Sequence, residues 1–272
     1  MPFSRYVFTT MSCVAVLATV GYVVSAPAIA QVDQCSSAFG QVQIAEGEAL
    51  QDELEILSWN IQKASNVGWA EDLASFSADI DLAFIQEASV QAQIPQVLPD
   101  SLHQAFAQGY TTDSQETGVM TLSASSPSGE CKLTAWEPWL GTPKATSITE
   151  YPIVDREDRL LTINLHAVNF TFGVGNLQGQ LEALSDVLSN HQGPVILAGD
   201  LNTWSDQRKS LVEGFMLFHG LGAVAFEPDL RTTAFGNALD HIYVRGMQAT
   251  YAQVFPVSSS DHNPLRVRLS FL

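Results

Sequence analysis

The sequence predicts an α/β protein in which two mixed β-sheets pack face to face and helices cover the outside. About ten apolar runs rich in β-branched residues recur between residues 54 and 271, which is the pattern of buried strands. Helical periodicity separates some of these runs but not others, as expected for mixed sheets. Ten strands are too many for one strongly twisted open sheet, so a two-sheet sandwich is the simpler arrangement.

The elements follow from these runs in chain order. The predicted strands are residues 54–59, 80–86, 118–124, 133–136, 146–154, 160–166, 195–198, 239–244, 250–255 and 265–271. The clearest helix is predicted at 177–191, where Leu and Val recur at spacings of three and four residues. Shorter helices are predicted at 69–76 and 207–218.

Residues 1–30 have the features of a secretory signal peptide. Arg5 is the only charge before an apolar stretch at 13–24, and Ala28 and Ala30 form a small-residue cleavage site. We therefore expect cleavage after Ala30 and a periplasmic or secreted protein. The alternative is an uncleaved membrane anchor, because the stretch 6–24 approaches the roughly 20 residues that span a bilayer. Residues 31–52 are interpreted as a leader into one domain at 53–272.

Two cysteines, Cys35 and Cys131, remain after removal of the predicted signal peptide. In an oxidising compartment they can pair as a disulfide, or they can be two unrelated thiols. The sequence does not decide between these readings.

The acidic composition restricts the partners. Without residues 1–30 the chain has 11 Lys and Arg against 29 Asp and Glu, a formal charge of −18. Such a surface repels polyanions, so we expect no stable binding of long duplex DNA. Nucleic acid would have to be held by metal ions and a few local cations.

Polar side chains that can bind a metal or move a proton lie at the ends of six predicted strands. These are Asn60, Glu87, His166, Asp200 with Asn202, Asp240, and Asp261 with His262. Each one alone is explained by a turn, a solvated carboxylate or a half-buried imidazole. Six such positions in one chain favour a shared site.

The order of these motifs resembles that of the endonuclease/exonuclease/phosphatase superfamily, which has the DNase I-like fold. The matching motifs are Asn60, Gln86-Glu87, His166, Gly199-Asp200-Leu201-Asn202, Asp240 and Ser260-Asp261-His262. The resemblance covers residues 54–271, and stretches such as 118–124 and 260–265 are similar to its YafD-like bacterial branch. It implies a four-layer α/β/β/α sandwich and a phosphoester hydrolase that uses Mg²⁺, with Mn²⁺ as an alternative.

The chemistry of these residues suggests a metal site and a dyad. Glu87 is the best direct Mg²⁺ ligand, because a hard cation prefers carboxylate oxygen. Asn60 is expected beside it, and Asp261 on the opposite loop. Asp240 is expected to orient His262 and to favour its protonated form.

The resemblance also implies roles around the phosphate. Asp200 would position the attacking water and Asn202 would donate to the phosphate. His166 would stabilise the transition state or protonate the leaving oxygen. Either Asp200 or His262 is the base. Lys63 and Lys144 would hold a substrate phosphate, unless they are ordinary surface charges.

One difference from the motifs of the superfamily narrows the range of possible functions. Gln62 stands where the repair endonucleases of this superfamily carry an acidic residue, which weakens the case for a second metal. We expect an exported phosphodiesterase, with short or single-stranded nucleic acid as the favoured substrate. The alternatives are a lipid phosphodiesterase or phosphatase of sphingomyelinase or phosphoinositide type, with residues 136–140 facing the membrane, and a non-catalytic surface module. Oligomeric state is left open.

Overall fold

The computed structural model of the protein describes residues 35, 38–40, 49–99, 101–138 and 140–272. The predicted signal peptide and most of the leader lie outside these residues, so both remain predictions. Within the described residues, no helix has the length and apolar character needed to cross a membrane.

Between residues 49 and 272 the structure describes fourteen strands and four α-helices, together with three short 3-10 helices. The strands are β1 Glu53–Asn60, β2 Leu82–Ser89, β3 His103–Thr111, β4 Glu116–Ser123, β5 Gly129–Glu137, β6 Thr142–Pro152, β7 Arg159–His166, β8 Val195–Asp200, β9 Gly222–Ala223, β10 Thr233–Ala234, β11 Asn237–Ala238, β12 Asp240–Arg245, β13 Met247–Val254 and β14 Leu265–Phe271. The helices are α1 Trp69–Phe76, α2 Gly175–Glu182, α3 Ser185–Asn190 and α4 Asp206–Phe218.

The strands form two six-stranded mixed sheets, as predicted. The first sheet has the order β13-β14-β1-β2-β4-β3, and the second has the order β5-β6-β7-β8-β12-β9. In the first, β1 is parallel to β2 and antiparallel to β14. In the second, β7 is parallel to β8, and β8 is antiparallel to β12. Strands β10 and β11 form a separate small hairpin.

Three apolar clusters separate four layers. Ile56, Phe84 and Ile196 belong to the cluster between the two sheets. Leu73 of α1 packs on the outer face of the first sheet. Leu181 of α2 belongs to the cluster that joins α2, α3 and α4 to the outer face of the second sheet. The predicted α/β/β/α sandwich is therefore confirmed.

The structure differs from the prediction in one helix and in four strands, because β3 and the two-residue strands β9, β10 and β11 were not predicted. The single helix predicted at 177–191 is two helices, because Leu184 N donates to Leu181 O at 2.9 Å in a tightened turn between them. The apolar spacing continues through this turn, so the sequence does not show it. Strand β3 was not predicted because it is an edge strand with exposed polar residues such as His103 and Gln104.

Gly199 allows β8 to lie against β7 near the ends of both strands. Its φ is 146°, and a Cβ at this position would lie 2.0 Å from Leu165 O. Only glycine fits such a close backbone approach. The register places His166 beside Asp200, so this glycine helps to bring the two side chains together.

A disulfide ties the start of the described chain to the second sheet. Cys35 and Cys131 are bonded, with their Cα atoms 5.2 Å apart. Phe39 packs on the cluster beneath α2, α3 and α4, and Gly40 N donates to Glu150 Oε2 at 3.0 Å. The structure thus resolves the question of the two cysteines in favour of pairing.

Candidate active site

The predicted site residues meet at one end of the sandwich, called here the site end. It is the end at which β1, β2, β7 and β8 finish and β12 and β14 begin. Parallel pairing brings Asn60 close to the end of β2, where Glu87 lies. In the second sheet, Asp200 pairs in register with His166 on one side and with Asp240 on the other.

Asp200 lies where the two sheets meet, and it is buried. Its Oδ1 accepts a hydrogen bond from Asn202 N at 3.0 Å, and its Oδ2 accepts one from Asn60 Nδ2 at 3.1 Å. The same Oδ2 lies 3.6 Å from His166 Nε2 and 3.9 Å from His262 Nε2. Burial raises the pKa of Asp200 to about 6, against the opposing effect of the His262 charge.

Asp240 and His262 form the predicted dyad across the gap between the sheets. His262 Nδ1 donates to Asp240 Oδ2 at 2.7 Å. Burial alone would lower the pKa of His262, but the Asp240 carboxylate outweighs it, with Asp200 and Asp261 adding to the effect, and raises this pKa to about 10. His262 is therefore an imidazolium at neutral pH.

The loop that carries His262 is fixed to β1. Trp59 Nε1 donates to His262 O at 2.9 Å, and Ser260 Oγ donates to Asn60 O at 2.7 Å. The ring of His262 consequently has a defined position between Asp240 and Asp200.

His166 lies between Asp200, Glu87 and Lys144, and Lys63 joins this group through Glu87. His166 Nε2 lies 4.0 Å from Glu87 Oε1 and 3.0 Å from Lys144 Nζ, while Lys63 Nζ lies 3.2 Å from Glu87 Oε2. Burial, together with the charges of Lys144, His262 and Lys63, holds the pKa of His166 well below its ordinary value. A neutral His166 therefore accepts a hydrogen bond from the Lys144 ammonium.

Nine of the ten predicted residues are joined by these contacts, and Asp261 is the exception. It is an exposed residue, and its Oδ1 lies 3.5 Å from Ser260 Oγ, whose hydrogen is donated to Asn60 O. Its charge nevertheless acts on His262. Asn202 Nδ2 donates to Ala167 O at 3.0 Å, which uses one of its two N–H donors.

Three site residues have left-handed backbone conformations. Lys63, Glu87 and Asn202 have φ values of 61°, 50° and 48°. Such conformations cost about 1–3 kcal/mol each for residues other than glycine, and they are concentrated at functional sites.

Two sets of donors at the site end are candidates for holding a divalent cation. Asp200, Asp240 and His262 offer ligand atoms within 4.8 Å of one another. However, the imidazolium of His262 has no free lone pair at neutral pH. The Glu87 carboxylate with the Asn60 amide oxygen is the better set for a hard cation, because both are oxygen donors. Glu87 already attracts a cation, the ammonium of Lys63.

Sequence reasoning assigned no role to three buried polar residues behind the site, although Gln86 belongs to one of the family motifs. Gln86 Nε2 donates to Asn164 Oδ1 at 2.8 Å, and Asn164 Nδ2 donates to Met120 O at 3.0 Å, so the pair ties one sheet to the other. Each of these two residues is an amide side chain within an otherwise apolar strand, and this pattern could have indicated a buried polar contact. Arg208 Nε donates to Asn202 O at 2.6 Å and is buried. No signal marked it, because an Arg on a helix usually faces solvent.

Sequence comparison places the chain among bacterial relatives. A profile of the Endonuclease/Exonuclease/phosphatase family matches residues 57–262. A UPF0294 protein of Vibrio cholerae is 38% identical over 229 residues, which are 82% of this chain and 80% of the relative. A UPF0294 protein of Yersinia pestis is 39% identical over 216 residues, which are 79% of this chain and 82% of the relative.

Solved structures show the same fold. An endonuclease/exonuclease/phosphatase of Beutenbergia cavernae aligns with a TM-score of 0.64 at 16% identity, over 81% of this chain and 72% of that one. The mannosyl-6-phosphatase Bt3783 of Bacteroides thetaiotaomicron aligns at 0.60 and 18%, over 80% and 100%. TDP2 of D. rerio, complexed with a single-strand DNA product, aligns at 0.59 and 16%, over 80% and 99%. The chain therefore belongs to the endonuclease/exonuclease/phosphatase family, whose members hydrolyse phosphoester bonds and generally require a divalent metal ion.

Proposed function

We propose that this protein is an exported, Mg²⁺-dependent phosphodiesterase. The observation that carries the proposal is the contact network around Asp200, which joins Asn60 of the first sheet to the Asp240–His262 dyad. Glu87 and Asn60 would hold the ion, which supplies charge neutralisation at the phosphoryl oxygens. Mn²⁺ is a second ion that this oxygen-rich set would accept.

The protonation states assign the remaining roles. His262 is charged at neutral pH and so would donate from Nε2 to a phosphoryl oxygen rather than accept a proton. Asp200, with a pKa of about 6, would take the proton of the attacking water, because a base works best with a pKa near the operating pH. Lys144, donating to neutral His166, would place positive charge at the leaving oxygen.

Asn202 would complete the phosphate contacts, and Asp261 would act at longer range. Asn202 retains one N–H donor beyond its bond to Ala167 O. Asp261 would support the charge of His262 rather than bind the metal directly. Lys63 pairs with Glu87 at 3.2 Å, and it would be available to contact substrate if Glu87 held the ion instead.

The substrate would present a single accessible phosphodiester. Short or single-stranded nucleic acid is one candidate, and the single-strand DNA product bound to TDP2 supports it by structural analogy. The formal charge of −17 on the whole chain argues against long duplexes. A lipid head-group diester is the second candidate, and exposed apolar side chains at the site end favour it.

An activity panel tests the enzymatic part of the proposal. Residues 31–272 are assayed with bis(p-nitrophenyl) phosphate, short single-stranded DNA and RNA, plasmid DNA and lipid vesicles, with Mg²⁺ and with EDTA. We expect hydrolysis with Mg²⁺ only, and a loss of about 10³-fold in Glu87→Gln. Glu213→Gln, at an exposed position of α4, is the matched control. Full activity in EDTA or in Glu87→Gln would refute the proposal.

The export part has its own support and test. The Cys35–Cys131 disulfide favours an oxidising compartment, where such bonds persist. Sequencing the N-terminus of the protein recovered from the periplasm or medium should give Gln31 as the first residue. Recovery in the membrane with residues 6–24 still attached would show an anchored protein instead.

A further inference from the structure

Glu137 is a buried carboxylate at the site end that none of the roles proposed above uses. It is the last residue of β5 and is 1% exposed. Its Oε1 accepts hydrogen bonds from Asn169 N at 2.6 Å and from Phe170 N at 3.4 Å, and its Oε2 accepts one from Thr142 Oγ1 at 2.5 Å. These hydrogen bonds offset the free-energy cost of burying the carboxylate. Removing their acceptor would leave two backbone N–H groups without a partner.

Side chains from other elements hold the loop at residues 167–170, which follows β7. Glu137 accepts hydrogen bonds from the far end of this loop. At its near end, Gln180 of α2 donates from Nε2 to His166 O at 3.0 Å and accepts from Val168 N at 2.9 Å. Because the loop has no strand partner of its own, these side chains determine where it lies relative to His166.

Glu137 connects the two segments of chain that carry Lys144 and His166. Thr142 and Lys144 are two residues apart on β6, so both side chains project from the same face of that strand. Asn169 lies three residues after His166. A side chain that bonds to both segments therefore limits how far Lys144 and His166 can separate. Their side chains lie 3.0 Å apart, between Lys144 Nζ and His166 Nε2.

The surroundings of Glu137 indicate that it acts through other residues. Glu137, Thr142, Lys144 and His166 line one cleft. However, both oxygens of Glu137 already accept hydrogen bonds from the protein itself, and the residue is almost completely buried. The side chains that Glu137 connects are the ones that a substrate in this cleft would meet.

We propose that Glu137 is a positioning residue for the departure of the leaving group. This inference rests on the proposed phosphodiesterase function, in which Lys144 and His166 place positive charge at the leaving oxygen. Glu137 would hold these two side chains at the distance that this role requires. A misplacement of about 1 Å can cost roughly 10²-fold in rate, so a residue outside the reacting groups can have a large effect.

The step that Glu137 supports is the breaking of the ester bond. An O–P bond forms from water, whose proton passes to Asp200. The ester P–O bond breaks, and its electron pair stays on the leaving oxygen, where the Lys144 ammonium stabilises it. That oxygen then takes up a proton from solvent, and Asp200 releases one. A weakly basic aryloxide departs with little help, whereas a more basic oxygen depends on the nearby positive charge.

The test varies the leaving group on the exported, full-length protein with Mg²⁺. The substrates are methyl 4-nitrophenyl phosphate, with a weakly basic leaving oxygen, and methyl phenyl phosphate, with a more basic one. We expect Glu137→Ala to lower kcat on methyl phenyl phosphate by about 10²-fold and on methyl 4-nitrophenyl phosphate by less than about threefold. Glu130→Ala removes an exposed carboxylate from the same strand and should match wild type on both substrates.

Two milder variants separate contact geometry from charge and from folding. In Glu137→Gln, Oε1 can still accept from Asn169 N and Phe170 N, and Nε2 can donate to Thr142 Oγ1. We expect this variant to stay within about threefold of wild type on both substrates. Thr142→Val removes only the contact to β6 and should lower kcat on methyl phenyl phosphate by about fivefold. Thermal unfolding checks that each variant is folded, and Thr142→Val tests the proposal if Glu137→Ala is not.

A double variant shows whether Glu137 acts through Lys144. Lys144→Met alone should lower kcat mainly on methyl phenyl phosphate, as Glu137→Ala does. Adding Glu137→Ala to Lys144→Met should then lower kcat on this substrate by less than about twofold further, because the positioned charge is already gone. Independent effects would multiply instead.

Four results would overturn the inference. Equal losses on both substrates in Glu137→Ala would show a purely structural residue. A Glu137→Gln variant as impaired as Glu137→Ala would show that the charge matters and not the contacts. Losses that multiply in the double variant, or a Lys144→Met variant without dependence on the leaving group, would exclude an effect through Lys144. In each case wild type is active, whereas wild type inactive on methyl 4-nitrophenyl phosphate would count against the phosphodiesterase itself.

Discussion

Each end of the sandwich buries a carboxylate near a histidine. Only at the end opposite the site is the negative charge of this carboxylate balanced by a guanidinium group as well as by hydrogen-bond donors. At the end opposite the site, Glu150 Oε2 accepts hydrogen bonds from Ser128 Oγ and Gly40 N, both at 3.0 Å. Arg159 Nη1 lies 3.6 Å from the same oxygen, and His191 Nδ1 lies 4.0 Å from the other. The charge of Glu150 is thus balanced by a guanidinium and two donors.

Asp200 at the site end has a different balance. It accepts hydrogen bonds from two amide N–H groups, of Asn60 and Asn202, while the imidazoles of His166 and His262 lie 3.6 Å and 3.9 Å away. Burial raises its pKa to about 6, so its ionised form is held at a cost in free energy. Residue type alone does not distinguish Glu150 from Asp200, whereas the number of charged and hydrogen-bonding partners around each carboxylate does.

The largest expected effect comes from removing the Asp200 carboxylate, the less fully compensated of the two. We predict that Asp200→Asn lowers kcat on an aryl phosphodiester by about 10³-fold, because loss of a general base typically costs 10²–10⁴-fold. The urea concentration at the midpoint of unfolding should not fall in the same way, because the substitution removes a carboxylate whose burial costs free energy. Activity within tenfold of wild type would show that Asp200 is not the base.

The converse change at the opposite end should affect stability instead. We predict that Glu150→Gln lowers the free energy of unfolding by about 3 kcal/mol, because a buried carboxylate that pairs with Arg159 and accepts hydrogen bonds from Ser128 and Gly40 is lost. Urea unfolding measures this loss. Under conditions where the variant is fully folded, kcat should stay within twofold. A large loss of activity without loss of stability would break the contrast between the two ends.

A smaller effect should appear in the pH dependence of stability. The folded-state pKa of His262, about 10, lies above its ordinary value of 6.5, so its contribution to stability is complete below about pH 6.5 and is lost as the pH rises through about 10. Asp240→Asn removes the carboxylate that raises this pKa most, so that loss should occur at lower pH.

Melting temperatures between pH 6 and 11 measure this shift. Asp79→Asn, at an exposed position away from the site, serves as the control and should follow wild type. If the melting temperature of Asp240→Asn falls at the same alkaline pH as that of wild type, the dyad does not determine the protonation of His262.

The sequence predicted the fold where burial and hydrophobicity agree. Strands β1, β2, β7 and β8 are buried on both faces and read as continuous apolar runs. Strand β3 is polar because it lies at an edge, and the turn at Leu184 keeps the helical spacing on both sides. Hydrophobic periodicity therefore predicts neither strand β3 nor the turn at Leu184.

The site was predictable as a set of residues but not as a set of contacts. Strand ends with Asn60, Glu87, His166 and Asp200 identify the candidates. Their partners depend on how one sheet packs on the other, and local sequence does not encode that distance. Arg208 was missed for the same reason, because its burial results from loops after β7 and β8 folding over it.

The division of the site between the sheets has a consequence for how activity should be interpreted. Asn60, Glu87 and His262 come with the first sheet, and His166, Asp200 and Asp240 come with the second. The strands of a chain can form before the two sheets pack on each other, or the sheets can pack with a shift of one residue. In both cases the far-ultraviolet circular dichroism would be normal, but the protein would not hydrolyse substrate. Hydrolysis therefore reports whether the two sheets have packed correctly, and it distinguishes native molecules from compact molecules with misplaced sheets.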